Sequence, residues 1–214
     1  MTKTSKATLI FYMLVCLIEI INIQFFPEFR HNSKPLIMPA LFIHAIYLNN
    51  KNLKKISVLL IAIFFAWLGD LFLLSDKGYA FMAGLSSFLI MHLIYIYLFN
   101  QQRAIGFHKH KKSAIGLFVF ALVCIVFFWD KTNGMRIPVS VYCMVIATMS
   151  LFALMRWKTT HYWYIVYGSF LFMLSDLLIA LSKFNAPFPH SDMLVMTTFM
   201  LGQYLIVKGY INDL

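Results

Sequence analysis

The chain has 214 residues, of which 61% are hydrophobic and 12% charged, with a formal net charge of +10. Soluble domains hold about 45–50% apolar and about 25% charged residues, so a water-soluble globule is excluded and an all-α, polytopic membrane bundle is indicated. The basic surplus is spread over short loops, which excludes a nucleic-acid surface and points to membrane topology.

Apolar runs predict eight spans, over 7–26, 35–48, 56–74, 79–99, 113–129, 135–155, 161–182 and 192–211. The first follows Lys3 and Lys6, but it is long and ends in Phe25-Phe26-Pro27 with no small-residue cleavage site. It therefore reads as a retained span rather than a signal peptide. The second is short for a hydrocarbon core of about 30 Å, so it must borrow length from Asn32-Ser33-Lys34 or from Asn49-Asn50. The third carries Trp67-Leu68-Gly69-Asp70-Leu71, and the fourth sets Leu85, Phe88, His92 and Tyr95 at helical spacing. The sixth opens on Arg136-Ile137-Pro138 and includes Tyr142. The seventh carries Met173-Leu174-Ser175-Asp176-Leu177, with Lys183 seven residues beyond Asp176 on the same helix face. The eighth contains Thr197 and Gln203. The six prolines fall at span ends, and Cys16, Cys124 and Cys143 lie within spans as small apolar fillers.

Alternate sides of eight spans receive twelve and six basic residues. The richer side includes Lys3, Lys6, Lys51, Lys54, Lys55, Arg103, Lys109, Arg156, Lys158 and Lys208. The positive-inside rule then puts both termini in the cytoplasm. The expectation is a single integral-membrane domain over 1–214, in a bacterial inner membrane rather than a eukaryotic internal one, since no retrieval tail is present. Oligomeric state is not legible.

Asp70 and Asp176 dominate the functional reading. A carboxylate within a span costs about 2.5–3.5 kcal/mol even on the lenient insertion scale, and these two occupy matched Leu-[Gly/Ser]-Asp-Leu elements 106 residues apart. Either the halves form a 4+4 parallel repeat, or short apolar motifs coincide. Each aspartate lies fourteen residues past the expected start of its helix, Ile56 or Tyr162, hence about 21 Å along it. Glu19, Ser86, Ser87, Tyr142 and Thr197 fall near that layer, with Lys34 and Lys183 above it. The pattern suits an amphiphile with an anionic head and an apolar tail. The plainer readings are interhelical hydrogen bonds for the acids, snorkelling for Lys34 and Lys183, and a packed bundle histidine for His92. No metal-ligand spacing is present.

Ser33-Lys34-Pro35-Leu36, Leu68-Gly69-Asp70, Gly84-Leu85 with Phe88, His92 and Tyr95, Gly168 with Phe172-Met173-Leu174-Ser175-Asp176, and Gln203 occur in a characteristic order. In this the chain resembles the YhhN family of eight-span membrane proteins, over about residues 30 to 210. One departure is the short stretch Leu71-Phe72-Leu73-Leu74-Ser75-Asp76, which touches substrate preference. The resemblance implies hydrolysis of the vinyl ether bond of lysoplasmalogens, giving a fatty aldehyde and a glycerophospho-ethanolamine or -choline. It implies Asp70 and Asp176 as acid and base, in either order. Lys34, Lys183, His92, Tyr95, Tyr142, Ser175 and Gln203 are expected to bind substrate. No cofactor or metal is expected, and the partners are a lysophospholipid and membrane lipids. His92 fits poorly, since in a straight helix it stands only about 10 Å from the cytoplasmic face; a tilted or broken helix, or a separate role, would explain it. The rival reading is a proton-coupled transporter of small molecules or lipids, and a third is a non-catalytic lipid-binding protein.

Overall fold

In hydrocarbon, backbone N–H and C=O groups must find partners within the protein, which favours helices. The computed structural model describes residues 2–75, 77–102, 110–132, 134–157 and 159–214. Among them the chain forms eight α-helices and no strand. They are α1 (Lys3–Phe25), α2 (Arg30–Leu48), α3 (Leu53–Leu73), α4 (Ala80–Gln101), α5 (Lys111–Phe128), α6 (Arg136–Leu154), α7 (Tyr162–Phe184) and α8 (Ser191–Asn212), with a 3-10 turn Pro27–Phe29 before α2. The expected Arg103, Lys109 and Lys158 of the basic side, and Asp76 of the turn after α3, lie outside the described residues.

Seven of these helices are long and apolar enough to cross a membrane, which makes the protein an integral, multi-pass one; α2 falls outside that group. Helix ends fall within four residues of expectation except at α2, which starts at Arg30 rather than Pro35. The length it borrows is the polar run Arg30-His31-Asn32-Ser33-Lys34, which lowers its hydropathy. The prolines also need correcting. Pro35 and Pro39 lie inside α2, not at a span end. Pro39 has no N–H, so the carbonyl of Pro35 loses its intrahelical donor. The Trp67 indole of α3 supplies one at 2.9 Å. The helix continues because a neighbour replaces the missing bond.

The chain divides into two compact units, Met1–Ile94 with Val207–Leu214, and Tyr95–Ile206. In the first, α2 packs between α1 and α3. Ile37, Met38, Leu41 and Ala45 of α2, and Ile56, Leu59, Ile63 and Ala66 of α3, are buried. Gly69 lets α4 approach α3: a Cβ there would lie 2.7 Å from the ring of Phe88. The outer side of α1 keeps Ile10, Phe11, Met13, Leu14, Leu17 and Ile18 exposed, a surface suited to lipid rather than water.

In the second unit, Ala114, Leu117 and Ala121 of α5 pack on Ala147 and Leu151 of α6 and on Met155, with Met173 of α7 against them. Helices α7 and α8 meet backbone to backbone. A Cβ on Gly168 would lie 2.8 Å from the carbonyl oxygen of Gly202, and one on Gly202 would lie 3.0 Å from that of Gly168. Small residues at such a crossing allow the close packing that holds membrane helices together. Arg156, expected among the cytoplasmic cations, is fully buried. It donates to Gln102 and lies over the Phe99 ring.

Candidate functional site

Each aspartate has its own cluster of polar side chains, and each cluster lies within one unit. In the first unit, Asp70 stands three residues from the end of α3 and is 3% exposed. The Lys34 ammonium of α2, itself buried, lies 3.7 Å from Asp70 Oδ1. That is ion-pair distance but beyond a good hydrogen bond. Asp70 Oδ2 is buried without a hydrogen-bond partner among the described residues. An oxygen of this kind is costly in a resting protein.

The first unit also holds a second acid. Glu19 of α1 is fully buried; its Oε1 lies 3.5 Å from Arg30 Nε, and its Oε2 accepts from the Ser33 hydroxyl. Asn22 donates to the same Ser33 oxygen at 3.0 Å. Two acids and two cations are thus gathered around the first turns of α2. The sequence placed Glu19 near the aspartate layer but gave no hint of these partners. Its one signal was an acid with Asn22 one turn on, in a helix otherwise uncharged beyond Lys6.

In the second unit, Asp176 lies eight residues inside the end of α7 and is half-buried. Its Oδ2 accepts from the Tyr142 hydroxyl of α6 at 2.8 Å. The neighbouring Ser175 is fully buried and donates to the Val195 carbonyl of α8 at 3.0 Å, so its hydroxyl serves helix packing. Tyr95 donates to Gln203 Oε1 at 2.6 Å, and both are fully buried.

Of the expected site residues, the structure therefore joins Lys34 to Asp70, Tyr142 to Asp176 and Tyr95 to Gln203. His92 is fully buried on α4, which runs unbroken through it; this removes the broken-helix explanation of its depth. Lys183 is exposed in the last turn of α7. Of the other residues expected in the acidic layer, Ser87 is buried, whereas Ser86 and Thr197 face outward. Among the described residues, no group of three or more His, Cys, Asp or Glu side chains is placed to hold a metal ion.

The model of the YhhN family matches residues 29–210. Among curated proteins, the chain is 30% identical over 162 residues to a Bos taurus protein named lysoplasmalogenase TMEM86A, covering 72% of this chain and 65% of that one. It is 30% identical to the Homo sapiens protein of the same name, with the same two coverages. A Sus scrofa protein named lysoplasmalogenase TMEM86B is 29% identical over 59% of this chain and 52% of its own length. The chain thus spans less than two thirds of the length of these relatives. No solved structure matches it.

Proposed function

We propose that this chain, which belongs to the YhhN family, hydrolyses the vinyl ether bond of lysoplasmalogens by acid–base catalysis with Asp70 and Asp176. The relatives named lysoplasmalogenase support a lysoplasmalogen as the substrate. The observation that carries the residue assignment is the Oδ2 of buried Asp70, which has no hydrogen-bond partner among the described residues, beside an Asp176 that already accepts a hydrogen bond from a hydroxyl. A carboxyl with an oxygen free of partners suits the acid, and one oriented as an acceptor suits the base.

Vinyl ethers react by protonation of the β-carbon. In this reading Asp70 gives its proton to that carbon, and the carbon bonded to oxygen becomes an oxocarbenium ion. Water adds there while Asp176 takes a proton from it, forming a hemiacetal. Asp176 then returns its proton to the leaving glycerol oxygen as the carbon–oxygen bond breaks. Asp70 recovers one from the hemiacetal hydroxyl. The products are a fatty aldehyde and a glycerophospho-alcohol, and both carboxyls end as they began. Tyr142 holds Asp176 in its acceptor orientation. Lys34 meets the lipid phosphate, with Lys183 the second cation available to the head group. Tyr95, Gln203 and His92 are assigned to holding the substrate.

The test follows aldehyde release from lysoplasmenyl-ethanolamine by the purified protein in detergent, with a saturated ether lysolipid as control. Aldehyde from wild type, and none from Asp70→Asn or Asp176→Asn, is the expected result. Folded wild-type protein that releases no aldehyde, yet moves solute in proteoliposomes, would replace this reading with transport.

A further inference from the structure

Glu19 lies ahead of the residues that the family model matches. A fully buried carboxylate on a membrane helix carries a desolvation cost that an apolar residue there would avoid. Both of its oxygens are engaged by the opening of α2, through Arg30 and Ser33. The residue after Ser33 is Lys34. The residue after that is Pro35, whose carbonyl takes the Trp67 indole N–H. The backbone of Lys34 is therefore held from α1 on one side and from α3 on the other. Helix α2 needs such anchors here, because Pro35 and Pro39 each remove a bond that would stiffen it from within. Lys34 in turn reaches Asp70 at 3.7 Å.

We infer that Glu19 is a positioning residue. Through Ser33 it fixes the Lys34 ammonium against Asp70, and so fixes where an anionic head group is held relative to the proton donor. This inference rests on the function proposed above. Glu19 touches no reacting atom in it; its contribution passes through Lys34.

A double-mutant cycle tests this on the full chain in detergent, with lysoplasmenyl-ethanolamine as substrate. The variants are Glu19→Gln, Lys34→Ala and the two combined. Glu19→Gln keeps the side chain's size and an acceptor for Ser33 but loses the charge that holds Arg30. It is expected to lower kcat/KM about 10–100-fold, mostly through KM, and to have no further effect once Lys34 is alanine. Equal losses with and without Lys34 would show a merely structural role and overturn the inference. If Glu19→Gln does not fold, Ser33→Ala replaces it in the cycle. Folded wild-type protein without aldehyde release overturns the functional reading instead. In that case the same cycle read in the melting temperature decides whether Glu19 positions Lys34: coupling supports it and additivity overturns it.

Discussion

Asp70 and Asp176 sit in nearly the same four-residue sequence, yet their surroundings differ. Asp70 is buried at the end of its helix, beside a cation, with one oxygen lacking a partner among the described residues. Asp176 is half-buried, well inside its helix, and bonded to a tyrosine hydroxyl. The small residue before each aspartate also serves a different end. Gly69 clears space for the Phe88 ring, whereas Ser175 bonds to the backbone of α8. Likeness along one helix thus sets where an acid can stand; the helices packed against it supply its charge environment and hence its chemical role.

The strongest way to break this contrast is to neutralise each acid. Asp70→Asn and Asp176→Asn should each lower kcat for aldehyde release by about 10²–10⁴-fold; a variant retaining near wild-type turnover would remove that residue from the proposed mechanism. With Asp70 resting in the protonated form that donates, Lys34→Met strands no charge but removes the cation assigned to the lipid phosphate. It should raise KM for lysoplasmenyl-ethanolamine about 10–100-fold, the worth of about 1.5–3 kcal/mol for a hydrogen bond to a charged group, with little loss of stability in detergent. Tyr142→Phe should instead cost about 1.5–3 kcal/mol of stability, since Asp176 rests as the charged acceptor. Equal stability losses at the two sites would erase the distinction between an acid that holds its proton and a carboxylate held by a hydroxyl. Away from both acids, Gly168→Ala should cost about 1–3 kcal/mol of overpacking. The atom its Cβ meets is a backbone carbonyl that cannot rotate aside, and thermal unfolding would register the change.

Much of the fold was legible because apolar runs of spanning length leave little choice in hydrocarbon. The miss at α2 has a clear cause. The sequence offers Asn32-Ser33-Lys34 as length to borrow but not Arg30 and His31, since nothing within that segment shows that Glu19, Asn22 and Asp70 will receive its polar groups. Pro39 escaped for a similar reason, because its compensation lies on another helix. Motif and cost mark out both aspartates and Lys34 in the sequence as candidates. Their pairings were not legible, since an ion pair between helices leaves no period in the sequence. Arg156, counted among the cations of the basic side, is a buried donor to Gln102, a partner that its position after α6 does not reveal.

The bond from Trp67 to the Pro35 carbonyl has a consequence for how this sequence can vary. Pro39 removes a donor and Trp67 supplies one, so neither substitution is favourable without the other. Losing the tryptophan first strands an acceptor beside Lys34, and losing the proline first makes the indole share that carbonyl with a helix N–H. The two positions form one heritable unit, on separate helices, able to change together far more easily than one at a time.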